Sequence, residues 1–309
     1  IGVFAKTGTP VGALHPFNPA FYGKMGFGYC NESVMYSPKP QYIRSYGDKS
    51  GLAYAGPGDE EEILEFYRNY ARKTHGATIH PYMDRHRIFD MPYVVVCRRN
   101  GRITGYLTFE FVEVDHYTDM YHDLAVREIV CEDMETMKQF LTFFASQIDQ
   151  IDRVRIYTHE ENFHMLFTNP DSGENRAFDG AIQEVGRKNM GYMFRIFDVK
   201  EYFRQQSHCE RPAEREFTLE LQVDDNFVEE NSGSLYLHVK NNSVELTDGP
   251  RADVVLRTNI ADLSSFVMGA IPLSAFLWTG RMTCSDRSYE QDIQNALGWS
   301  RKPKNYTYF

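Results

Sequence analysis

At 309 residues the chain is longer than one hydrophobic core usually organises, so several domains are expected. Hydrophobic residues at 42% and charged residues at 25% are ordinary globular proportions, and no apolar run approaches the ~20 residues of a membrane helix, so a water-soluble protein with no membrane partner is expected. The formal net charge of -10 argues against nucleic acid, whose phosphates need clustered Lys and Arg, and favours attraction of small cations.

The first elements are crowded together. "PVGALHPF" predicts a short strand over Pro10 to Leu14, and "LHPFNPAFYGKMGFGY" then carries helix punctuation in order: Asn18 as cap, Pro19 at the first helical position, Gly26 as stop. Residues 37 to 58 are rich in Pro, Gly, Ser and Tyr and read as a connection, with a boundary near Ser50. A helix follows, with Asp59 as cap, Glu62 three residues later, Ile63, Phe66, Tyr67 and Tyr70 on one face and Gly76 as stop. Asn100-Gly101 between two apolar runs predicts a hairpin. A strand (Asp123 to Cys131), a helix (Met134 to Ile148) and a strand (Val154 to Thr158) complete an α/β layer. "GENRAFDG" reads as loop. Beyond it, a hairpin facing Leu235, Leu237 and Val239 onto Val244 and Leu246 across Asn241-Asn242, then the helix "IADLSSFVMGAI", predict an α+β region.

The chemistry-bearing residues are sparse. The cysteines Cys30, Cys97, Cys131, Cys209 and Cys284 are scattered, odd in number and form no CxxC; neither a disulfide framework nor a zinc site is expected, and a cytoplasmic location fits. His75, His80 and His86 crowd with Asp84, but without metal-ligand spacing and with Pro81 interrupting any helix, so they read as solvated loop; His116 with His122 and His159 with His164 are equally unspecific. No GxSxG, GxGxxG or GxxxxGKS occurs. "CRRNGR" sits on the predicted hairpin turn, where solvated charge is the ordinary state. Two features remain: Tyr22 on the short helix, whose ordinary reading is an aromatic packed on a sheet, and the terminal "KNYTYF", which alternates aromatic and polar residues like a strand edge and has reason to be buried although most termini fray.

Phe21-Tyr22, three residues, then Gly26-Phe27 resembles the late strand-helix motif of the GNAT N-acetyltransferases. The whole order, with an aromatic terminus, is similar to the Eis (enhanced intracellular survival) family. That resemblance implies a multidomain α/β and α+β protein: residues 1–50 the remnant of a first GNAT unit, 51–195 a central degenerate GNAT unit, and 196–309 a sterol-carrier-like α+β domain. It implies acetyl-CoA as substrate, no metal, an amine acceptor such as an aminoglycoside, a polyamine or a lysine side chain, and homo-oligomeric assembly with a hexamer among its forms. Tyr22 matches the family's general acid, the terminal carboxylate of Phe309 its general base, and His15 and Phe17 lie where members line the acetyl-CoA arm. One departure stands out. The R/Q-x-x-G-x-G/A loop that holds pyrophosphate precedes the region where this chain begins, and the equivalent place in the central unit, "REIVCEDMETMKQF", is acidic and lacks glycine. The chain opens at Ile1 without an initiator Met or leader, as a fragment or trimmed product would. Competing readings are a sterol-carrier-like module holding an apolar ligand near Leu263, Phe266, Phe276, Leu277 and Trp278, and an assembly scaffold.

Overall fold

The computed structural model describes residues 8–114, 122–173, 182–206, 211–249 and 251–307. It divides into two compact units, one of Ile1–Asn31 with Met190–Pro303, the other of Glu32–Asn189 with Lys304–Phe309. The loop at 174–180, His116, Cys209, Tyr308 and Phe309 lie outside the described residues.

In chain order the elements are β1 (Val11–Leu14), α1 (Pro19–Gly23), β2 (Gly28–Tyr29), β3 (Glu32–Tyr36), β4 (Leu52–Tyr54), α2 (Glu60–Ala71), α3 (Pro81–Phe89), β5 (Tyr93–Arg99), β6 (Arg102–Glu113), β7 (His122–Cys131), α4 (Met134–Ala145), β8 (Ile151–Thr158) and β9 (Arg187–Met190). Then come β10 (Met193–Ile196), α5 (Val199–Gln205), β11 (Phe217–Asp224), β12 (Gly233–Lys240), β13 (Ser243–Thr247), β14 (Val254–Asn259), α6 (Ile260–Val267), α7 (Leu273–Trp278), β15 (Thr283–Cys284) and α8 (Glu290–Leu297). Both hairpins form where the asparagines allow them, with Asn100, Gly101 and Asn241 at positive φ.

Several local expectations are corrected. Pro81 does not interrupt a helix but begins one, because its missing N–H and fixed φ suit the first helical position, and His80 caps it by accepting from Met83 N at 3.3 Å. Asp84, in the first turn of that helix, is 2% exposed. Asp59 and Glu62 make no capping box: Asp59 accepts from Gly56 N and Arg98, and Glu62 from Ile103 N, partners whose geometry outcompetes the free N–H groups of the first turn of α2. The basic cluster remains solvent-accessible on its turn and is also ion-paired, Arg98 with Asp59 and Glu62, Arg99 with Asp133, Arg102 with Glu132. Among its described residues, 304–307, the terminal segment forms no strand; polar side chains, not a ladder, hold it. The stretch read as a connection contains β4, which pairs with β5.

The unit built from Glu32–Asn189 is a three-layer arrangement around a seven-stranded sheet ordered β4-β5-β6-β7-β8-β3-β9. Alternation sorts the two faces. Val95, Cys97, Leu107, Phe109, Leu124 and Val126 meet Phe140, Leu141 and Phe144 of α4 on one face, while Val96, Ile103, Tyr106 and Val130 meet Ile63, Tyr67 and Ile88 of α2 and α3 on the other. Strands β7 and β8 are parallel and their pairing ends at Val126 and Ile156, although β7 continues to Cys131 and β8 to Thr158. Past that point the two strands part.

The other unit has a three-stranded sheet ordered β1-β10-β2 and a five-stranded sheet ordered β13-β12-β11-β14-β15, in which β11 and β14 run parallel. Leu219, Leu221, Leu237 and Leu256 point from the larger sheet onto Leu263, Phe266 and Phe276 of α6 and α7 in one continuous core. Gly28 on β2 is required by proximity: a Cβ there would lie 2.0 Å from the backbone oxygen of Ala261 on α6.

Candidate active site

Tyr22 is held on a helix of barely more than one turn, and the sequence explains why so short a helix survives. Asn18 Oδ1 accepts from Ala20 N (3.0 Å) and Phe21 N (3.3 Å), Pro19 occupies the first position, and the last turn closes through Met25 N and Phe27 N onto Tyr22 O. Gly26, at φ +80°, reverses the chain there. The Tyr22 ring sits among Phe17, Phe21 and Phe27, with centroids at 5.3, 5.2 and 6.0 Å and edge-to-face geometry throughout. Phe27 in turn packs on Met193 and Phe197. The tyrosine is half-buried, while Phe17 is 79% exposed on the loop before the helix. His15, on the same loop, lies edge-on to Tyr192 at 6.2 Å.

Beneath this turn lies a group that sequence reading did not single out. Arg195 on β10 is fully buried; its guanidinium donates to Met25 O and, at 2.6 Å, to Asp225 Oδ2. The missing Cβ of Gly26 is what leaves space for that guanidinium. Burial works to raise the Asp225 pKa, but hydrogen bonds from Arg195, Asn231, Phe227 N and Val228 N outweigh it and hold the carboxylate below its usual range. A single arginine inside the apolar run "YMFRIF" was the available signal.

Within the Glu32–Asn189 unit, residues 304 to 307 enter the gap where β7 and β8 part. Lys304 N donates to His75 O (2.9 Å), Asn305 Oδ1 accepts from Thr78 N (3.1 Å), and the Tyr306 hydroxyl reaches Ile129 O at 3.4 Å. His159, just past β8, sets its two ring nitrogens against Glu32 O (2.7 Å) and Asn305 O (2.9 Å). Parting strands expose backbone groups that need partners, and the chain's own late segment lies against them. Phe309 itself lies outside the described residues.

The first turn of α4 does not fit a pyrophosphate. Asp133 Oδ1 already takes Thr136 N (2.9 Å), and the cations nearby are already paired with acids, Arg99 with Asp133, Arg102 with Glu132 and Lys138 with Glu135. Among the described residues no group of three or more His, Cys, Asp or Glu is placed to hold a metal, and no helix is long and apolar enough to cross a membrane. Cys30, Cys97, Cys131 and Cys284 are free thiols. Of the residues considered for an apolar-ligand site, Leu263, Phe266 and Leu277 are core, Trp278 is 86% exposed, and Phe276 borders a cavity of about 460 Å³ together with Phe27, Met193 and Ile271.

One α/β unit and one α+β unit are the architecture of an acetyltransferase-type fold and a carrier-type domain. Residues 72–196 match the acetyltransferase (GNAT) domain family and residues 199–304 the sterol carrier protein domain family, so the chain carries a GNAT acetyltransferase domain followed by a C-terminal sterol carrier protein domain. Among solved structures it is similar to a GCN5-related N-acetyltransferase from Anabaena variabilis (19% identity, TM-score 0.78, all of this chain and 75% of that one). A conserved protein from Enterococcus faecalis (15%, TM-score 0.80, 100% and 74%) and Eis1 from Mycobacterium abscessus (15%, TM-score 0.75, 100% and 75%) are similar as well. At these identities the likeness is one of fold. No curated protein matches the chain by sequence.

Proposed function

We propose that this chain belongs to an acetyl-CoA-dependent N-acetyltransferase acting on primary amines of the aminoglycoside, polyamine or lysine side-chain type. In this reading residues 1–50, 51–195 and 196–309 are the first GNAT remnant, the central degenerate unit and the sterol-carrier-like domain of a cytoplasmic homo-oligomer. The observation that carries it is the doubly fixed helix α1, which locks Tyr22 among three aromatic rings while leaving Phe17 exposed beside it.

When bound, acetyl-CoA supplies a thioester carbonyl open to attack. The Phe309 carboxylate takes a proton from the substrate ammonium, freeing the nitrogen lone pair to form the C–N bond. As the C–S bond breaks, the Tyr22 hydroxyl gives its proton to the departing thiolate, and the second proton leaving the new amide nitrogen goes to water, from which the phenolate is reprotonated. His15 and Phe17 flank the arm that carries the thioester. Acidic surface draws the amine in.

Acetyl transfer to a panel of amines tests this in the intact protein. Tyr22→Phe and a variant with one residue appended after Phe309 are each expected to lose about 100-fold or more in kcat, the lower end of what a positioned acid or base contributes. Unchanged rates in both would remove these roles. The cavity beside Phe276 favours a second reading, an apolar ligand held by the sterol carrier domain. Native mass spectrometry of the purified protein would show such a ligand retained, and a bare protein mass would count against it.

A further inference from the structure

The polar contacts of the docked terminal segment are unequal, and one of them reads position. Thr307 is 1% exposed and its hydroxyl meets three partners: Asp84 Oδ1 at 2.6 Å, the Tyr67 hydroxyl at 2.9 Å and Thr78 O at 3.1 Å. A hydroxyl has a single proton to give, and the charged, closer acceptor Asp84 takes it. Tyr67, whose pKa burial pushes up and which therefore stays protonated, has two acceptors in reach, Thr307 Oγ1 at 2.9 Å and Thr78 O at 3.1 Å, and donates to the nearer. The order is Tyr67 to Thr307 to Asp84.

Asp84 is the fixed end of this relay. Its carboxylate also accepts from His80 N at 2.8 Å and from Arg87 at 3.3 Å, and Arg87 lies 4.4 Å above the Tyr67 ring and pairs with Glu128. Two buried acids share one arginine, so the proton from Thr307 is needed. A slip of the segment by one residue would bring Tyr306 against Asp84 in place of a small hydroxyl, and would withdraw Asn305 from Thr78 and His159.

We propose that Thr307, read by Tyr67 and Asp84, is the register stop of the docked segment 304–307. Resting on the reading of Phe309 as general base, this makes Thr307, Tyr67 and Asp84 positioning residues for that carboxylate.

Thr307→Val keeps the shape and removes the hydroxyl; Thr307→Ser keeps the hydroxyl; Tyr67→Phe removes the far hydroxyl, together with its contact to Thr78 O. Carboxypeptidase A release of Phe309 from each folded protein, followed by intact mass, reports docking without reference to catalysis. Release is expected to rise at least tenfold in Thr307→Val, less in Tyr67→Phe, and to return to the wild-type rate in Thr307→Ser, while kcat falls about tenfold in Thr307→Val with KM for the amine little changed. Wild-type release from Thr307→Val, at an unaltered melting temperature, would overturn the register stop. Faster release with undiminished kcat would uphold the stop and remove the carboxylate from the mechanism instead. If Thr307→Val does not fold, Tyr67→Phe decides: release equal to wild type overturns the proposal.

Discussion

Arg195 and Asp225 show how much a single buried pair controls. Both side chains are fully buried, and between them they engage Met25 O, Asn231 and two loop N–H groups. Such a pair adds little net stability when intact, because desolvation offsets attraction, but removing one partner strands a charge. Asp225→Ala is therefore expected to destabilise the protein by about 3–5 kcal/mol, measured by urea unfolding. Arg195→Met together with Asp225→Leu is expected to recover most of the loss, and a double variant no better than the single one would show that packing, not charge, was at stake. Because Arg195 also holds Met25 O at the end of α1, the single change should loosen the turn that carries Tyr22.

His159 makes the parting of β7 and β8 sensitive to acid. A neutral imidazole donates from one nitrogen, yet both nitrogens face carbonyl oxygens, and burial pushes its pKa down against the raising effect of those carbonyls. Lys304, Glu160 and the Tyr306 ring surround it. In the unfolded chain it would take a proton near the ordinary pKa of ~6.5, whereas the folded chain resists until lower pH. The unfolded state then binds more protons in that window, so stability falls as pH drops below about 6.5. His159→Gln is expected to flatten the pH dependence of urea midpoints between about pH 5 and 7; an unchanged slope would assign the effect elsewhere. This gap also marks the limit of what the amino-acid order reveals. The Asn18 cap and the Asn100-Gly101 turn were legible because cause and effect lie within a few residues. Asp84 was not, since Pro81 reads equally as helix breaker and helix opener, and its partner Thr307 is 223 residues away. Tyr22 could be singled out by motif, but the arginine beneath it shows only as one charge in an apolar strand, and the burial that gives it meaning comes from the fold.

The protein as a whole is acidic, with a formal net charge of -10, and long-range attraction should matter for any polycationic acceptor. For the proposed reaction kcat/KM toward a polyamine is expected to fall severalfold as salt rises from low millimolar to about 0.3 M, while a singly charged amine changes less, because screening shortens the Debye length below ~10 Å. Equal salt effects on both would place recognition in short-range contacts alone. Each unit is also assembled from distant parts of the chain: β1 and β2 pair with β10, and residues 304–307 complete the unit that Glu32 opens. Contacts of this span slow folding and leave surfaces uncovered until the second partner arrives. The seat for Thr307 is built from residues synthesised long before it, so a polypeptide cut short ahead of residue 304 would leave Asp84 with His80 N and Arg87 but without the hydroxyl that completes its set of donors.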